Sequence, residues 1–162
     1  MNSLYETDYH QWLSQQREHL IQGQLDQLDV ENLIEELEVG IKDHIRELKR
    51  HLINLLLHVL KWDYQEKVLK DPWVDVYVKH IWLPSIRNAL RAIELLIEQN
   101  PCLKPQTDNV LKSAYPAAKR DAIDEMNKYA RHENQKLNQN SFPGECPWNF
   151  EQVIEYSQSV LK

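Results

Sequence analysis

Apolar residues recur at three- and four-residue intervals along most of this chain, and no stretch alternates with period two for long enough to make a confident strand. The longest stripe runs Val30, Leu33, Ile34, Leu37, Ile41, Ile45, Leu48, Leu52, Leu55 and Val59, with Asp29 ahead of it as a capping residue. This spacing predicts one long helix that fades between Tyr64 and Leu69. Gly40 costs it about 1 kcal/mol relative to alanine, but the stripe keeps its phase across the glycine. Between Leu52 and Leu60, the side chains of Ile53, Leu56, Leu57 and Leu60 carry the apolar surface almost all the way round. That half of the helix must be enclosed by neighbours or by a second subunit.

Shorter periodic segments flank it. Asp8 caps a helix to about Gln22 with Tyr9, Trp12, Leu13, Leu20 and Ile21 on its apolar side and Gly23 as its stop. "DPW" (Asp71 to Trp73) supplies a cap and a first-turn proline for a helix from about Pro72 to Gln99, which must bend or restart at Pro84. Ile86, Leu90, Ile93 and Ile97 form its stripe. After "NPCLKP", Asp108 is positioned to cap a helix from about Asn109 to Arg131, interrupted at Pro116. Its Ala114, Ala118, Ala122 and Met126 are spaced for close helix contact. Residues 132 to 148 read as a loop, and Asn149 opens a last helix with Phe150, Val153, Ile154 and Val160.

The fold expected is therefore all-α: an up-down helical bundle of four to six helices around one long central helix, a single domain over residues 1–162. Composition agrees, because 42% hydrophobic residues, 27% charged residues and three glycines fit a helix-rich globule. A net charge of -6 argues against nucleic acid or an anionic membrane as the main partner. The opening "MNSLYETDYHQW" has neither a cationic leader nor an apolar run, and the most apolar stretch, "LINLLLHVL", is far short of a bilayer span, so a cytoplasmic protein is expected. Cys102 and Cys146 form no Cys-x-x-Cys and read as ordinary thiols.

The candidate chemistry lies on the long helix. His44, His51 and His58 recur every seven residues, and Glu47, Asn54 and Lys61 fill the steps between them, a polar ladder beside the apolar stripe. Seven residues rise about 10.5 Å, whereas two imidazoles on one ion hold their nitrogens about 3 to 4 Å apart, so the three histidines cannot share an ion. Only His44 with Glu47, or Glu47 with His51, could chelate. Either pair would need further donors, such as Asp75, His80 or Glu94. No metal is assigned and no cofactor is expected. The ladder, His44, Glu47, His51, Asn54 and His58, is the candidate binding edge, either open to water or lining a wet cleft.

Arg46 and His51 satisfy the Arg-x4-His pattern of the helical HEPN ribonucleases, in which arginine would hold a phosphate while histidine moves a proton. Five residues turn about 140°, which points the two side chains to nearly opposite sides of one helix. Lys42, Arg46, Lys49 and Arg50 form a basic stripe whose simplest role is pairing with Glu35, Glu38 and Glu47, while Trp73, Tyr77 and Trp82 read as core plugs. Phosphate-loop, nucleophile-elbow and His-Glu-x-x-His motifs are absent from the sequence.

The runs "ENLIEELE", "HLINLLLHVLKWDYQ", "NPCLKP" and "FPGECPWNFEQVIE" resemble, in order and spacing, a bacterial family frequent in cyanobacteria and known only as domain-of-unknown-function family twenty-nine. The resemblance spans about Tyr5 to Ile154 and implies an all-α bundle without assigned functional residues. Pro84 and Pro116 depart from it, at places where the family reads as uninterrupted helix. The function expected is a noncatalytic interaction or accessory module with a protein partner or a second copy. A metal-dependent bundle protein and a HEPN-like ribonuclease or toxin–antitoxin component are the alternatives.

Overall fold

The computed structural model describes residues 3–70, 76 and 78–162. The chain is all-α: among the described residues there are six α-helices, no strand, and one helix far longer than the rest. They fall into two compact units, Met1–Asp43 and His44–Lys162. Expectations on Asp71, Pro72, Trp73, Asp75 and Tyr77 lie outside the described residues.

In the first unit, a short α1 (Leu4–Thr7) that the sequence pattern does not reveal precedes α2 (Tyr9–Ile21). The Asp8 carboxylate caps α2 by accepting from the Gln11 N–H at 3.0 Å, and Gly23 closes it at φ +69, a left-handed conformation that favours glycine. The helix α3 (Val30–Tyr64) begins after Asp29, whose carboxylate accepts from Asn32 Nδ2 at 2.7 Å and Trp12 Nε1 at 2.9 Å. The Asp29 N–H donates to Gln16 Oε1 at 2.7 Å. These bonds hold the Asp29 carboxyl below the usual range, Asn32 being the larger cause and Trp12 the next. Tyr5 and Tyr9 both donate to Glu36 at 2.7 Å, which lowers the Glu36 carboxyl and pushes the Tyr5 hydroxyl up to about 12. The apolar side expected of α2 is corrected: Trp12 is buried, but Tyr9, Leu13, Leu20 and Ile21 are exposed. The polar anchors made by Trp12 and Gln16, rather than an aliphatic core, join α2 to the start of α3.

The second unit holds the core. Leu48, Leu52, Leu55, Leu56 and Val59 of α3 are fully buried with Ile86 and Ile93 of α4 (Leu83–Gln99), Leu111 and Ala114 of α5 (Thr107–Lys128), and Val153 of α6 (Phe150–Val160). As the all-round apolarity requires, Leu57 and Leu60 are buried too. A π-helical turn at Gln65–Leu69 winds down α3 and ends at Lys70 with φ 48. Another, at Val78–Trp82, leads directly into α4, whose first turn contains Pro84, so at the proline where a bend or restart is expected the winding changes from π to α without a gap.

Three expectations for α5 are corrected: its interruption, its bounds and its cap. The helix runs unbroken through Pro116, because the ring sits on the exposed side, where water can satisfy the carbonyl of Lys112 that loses its intrahelical donor. It also starts at Thr107 directly from a 3-10 turn (Pro101–Gln106), and ends at Lys128 rather than Arg131. Asp108 does not cap its own helix: its carboxylate accepts from the Phe150 N–H at 2.8 Å and so fixes the start of α6. Asn149 completes that start through a capping box with Gln152. The preceding loop is tied to α5 by Asn127, which bonds both backbone groups of Leu137, and by Tyr115 and Lys119, which both donate to the Pro143 carbonyl.

A methyl group added at Gly40 meets nothing within 4 Å, and α3 passes through the glycine without a break. Gly40→Ala is expected to raise stability by up to about 1 kcal/mol in denaturant unfolding followed by circular dichroism. A loss of stability would mean that Gly40 supplies a bend or close approach that a continuous helix does not need.

Candidate functional site

The polar ladder of α3 drifts about 20° per heptad, and that drift divides it. His44, Glu47 and His51 line an open cleft of about 310 Å³ whose other wall is Ala92, Leu95, Leu96, Gln99 and Asn100, the last turns of α4 and its cap. His51 Nε2 lies 3.7 Å from Glu47 Oε1, one turn away, with the ring mostly sheltered and the carboxylate half-exposed. The Asn100 amide donates to the Leu96 carbonyl at 3.0 Å, which keeps the cleft rim on the helix end. Asn54 is exposed and does not line the cleft, and neither does His58. The cleft thus brings together three of the five ladder residues, His44, Glu47 and His51.

The lower end of the ladder is a different environment. Lys61 is only 4% exposed, its Nζ 2.6 Å from Glu125 Oε2 of α5 and 4.7 Å from the ring centre of Trp82. His58, one turn back, has its Nδ1 buried without a hydrogen-bond partner, alone in this among the described buried side chains. Burial is the main force on it, and the Lys61 ammonium adds to burial while Glu125 opposes it, so the imidazole is pushed down to about 4. His58 is thus a neutral, half-buried histidine whose Nδ1 is shut off from water. Sequence reasoning placed Lys61 on the ladder but missed its pairing. The signal available was a lysine at the end of an all-round apolar segment; its counterion, 64 positions later, carried none.

The chemistry open to this arrangement is limited. Among the described residues no three His, Cys, Asp or Glu side chains are placed to hold a metal ion. Of the further donors considered, His80 is exposed, Asp75 lies outside the described residues, and Glu94 lines a separate cleft with Ile97, Phe150 and Ile154. Arg46 is exposed and is not part of the cleft that His51 lines, so the Arg-x4-His pattern is not assembled on this helix. Cys102 and Cys146 are free thiols, and burial pushes the Cys146 thiol up, away from the reactive thiolate form.

Two outcomes follow from the Lys61 cluster. The unfolded chain takes up the His58 proton near pH 6.5 and the folded chain only near 4, so the stability that neutral burial contributes is present above about 6.5 and lost as pH falls toward 4. In an NMR titration His58 is expected to stay neutral from pH 8 to about 5, and in Lys61→Met to titrate at higher pH than in the parent chain. An ordinary midpoint in the parent would show that the ring is solvated. Glu125→Ala, which strands the buried ammonium, is expected to cost about 1–3 kcal/mol, and Lys61→Met, which replaces it with an apolar chain of similar length, less than about 1 kcal/mol. The reverse order in denaturant unfolding would mean that the ion pair itself holds α3 to α5.

No curated protein and no solved structure matches the chain. The profile of one family, described as "Domain of unknown function DUF29", matches residues 4–157, nearly all of the chain and all three helices that carry the cleft and the Lys61 cluster. The protein belongs to the DUF29 family, whose function is unknown.

Proposed function

We propose that this protein is a noncatalytic interaction module that docks a protein partner on the first half of α3. The observation that carries the reading is the fate of the long apolar stripe. From Leu48 onward its residues are buried, whereas Val30, Ile34, Leu37 and Ile41, in the same phase on the same helix, are exposed. Four apolar side chains along one helix edge are the anchors of helix-in-groove or helix–helix recognition, and monomeric proteins seldom leave such rows uncovered. The exposed Leu20, Ile21 and Leu25 add to the apolar surface of the same unit.

The two catalytic alternatives have less support. A metal enzyme needs a third ligand that the described residues do not bring to the ladder, and the ribonuclease's Arg46 and His51, on different sides of one helix, would meet only between two copies of the chain. The cleft at His44, Glu47 and His51 stands as a smaller proposal, a subsite for a small polar group, with Asn54 and His58 outside it. We take residues 1–162 as one domain, because the single helix α3 supplies both compact units. Among the described residues no helix is long and apolar enough to cross a membrane. We take the site of action to be the cytoplasm, in keeping with the two free thiols.

A photo-crosslinking amino acid in place of Leu37, compared with one at the exposed Lys128, tests the docking face in host lysate. Residue 37 is expected to give a discrete adduct at least about fivefold stronger than residue 128, and His51→Ala to leave it unchanged. Equal diffuse labelling at both positions would remove the reading.

A further inference from the structure

Val30, Ile34, Leu37 and Ile41 are 54%, 53%, 68% and 60% exposed and fall within a band about 60° wide on α3. Each presents on the order of 100 Å² of apolar surface, so together they leave roughly 400 Å² uncovered. That is a fitting apolar centre for an interface of about 800 Å² per partner, the rest coming from its charged margins. One margin is ordered by charge: Glu31, Glu35 and Glu38 come first, and Lys42 and Lys49 follow on the same flank. A partner for this edge must be apolar along its middle, basic where α3 is acidic, and acidic where α3 is basic. The helix that meets this description is α3 itself, read in reverse.

Resting on the docking reading above, we infer that the partner is a second copy of this chain, with the two α3 helices antiparallel across a two-fold axis. In the register that stacks the exposed apolar residues, Leu37 of each copy meets Ile41 of the other. In an antiparallel pair each flank faces the same flank of its partner in reverse order. Glu38 therefore lies opposite Lys42 of the other copy and Glu31 opposite Lys49, each pairing occurring twice. A parallel pair would set the acidic turns against the opposite margin, where Gly40, His44 and Glu47 offer no lysine or arginine. An anionic membrane is disfavoured as the occupant by the same glutamates. Lys42 already approaches Glu38 of its own helix at 3.4 Å, both side chains remaining open to a further partner.

The full chain is tested by sedimentation velocity from about 1 to 100 µM, with circular dichroism confirming helix content in every variant. The parent is expected to dimerise, and Leu37→Glu to weaken the dimer at least about a hundredfold. Glu38→Lys and Lys42→Glu are each expected to weaken it about tenfold, since each sets like charges against each other twice. An equimolar mixture of these two restores both cross-copy attractions and is expected to return to within about threefold of the parent. The contacts within each helix are the same in the mixture as in the separate variants, so rescue reports a contact between copies at these positions. A parent that stays monomeric throughout, or a mixture no tighter than its components, overturns the second copy. Crosslinking from residue 37 separates this from the broader reading. An adduct of twice the chain mass supports the dimer. An adduct with a different protein overturns the dimer and leaves the docking face standing, and no discrete adduct overturns both.

Discussion

An α-helix that is apolar on every side has to be enclosed, and the segment Leu52–Leu60 of α3 imposes that condition on this protein. Three other helices meet it. Ile86 and Ile93 of α4, Leu111 and Ala114 of α5 and Val153 of α6 are all fully buried in the cluster that surrounds this segment. The alanines at 114, 118 and 122 of α5 are without exposed surface, the small side chains that close helix packing needs. Local devices such as the Asn149 capping box, the Asp108 bond to Phe150 and the Asn127 clasp on Leu137 make this enclosure specific by fixing where each neighbour begins and ends.

The same enclosure shapes the polar ladder. Each heptad carries a polar residue about 20° further round, so a row that starts at a cleft rim ends inside the packing. His44 and His51 line the open cleft, whereas the His58 Nδ1 is buried and Lys61 packs against the Trp82 ring and pairs with Glu125 of α5. A buried ammonium needs a counterion, and Glu125 supplies one from a half-exposed position, where its own desolvation is modest. At His58 the pull of Glu125 is outweighed by burial and by the Lys61 ammonium, and the imidazole remains neutral. Three histidines identical in sequence spacing thus occupy two environments.

The first half of α3 is the complementary case. Its apolar stripe is as regular as the second half's, yet α1 and α2 meet it through Tyr5 of α1 and Tyr9, Trp12 and Gln16 of α2 on Glu36 and Asp29, beside the stripe rather than over it. Those contacts are hydrogen bonds, three donated to carboxylates and one donated by the Asp29 N–H to Gln16, and they orient a helix without covering apolar surface. The uncovered edge and the ordered charges along it are therefore a property of how this unit is built.

The sequence by itself determined the elements that local chemistry controls: the caps at Asp8, Asp29 and Asn149, the stop at Gly23, the change of winding near Pro84 and the uninterrupted α3. Each depends on residues within one or two turns of one another, and so does the ban on three histidines sharing an ion. The tertiary structure alone decided which part of a uniform stripe is buried, that Pro116 lies on a wet face where a helix tolerates it, that Asp108 serves α6 rather than α5, and that Lys61 finds Glu125. Periodicity reports which face of a helix is apolar, but covering that face is a relation between segments far apart in the chain. No spacing along one helix encodes it.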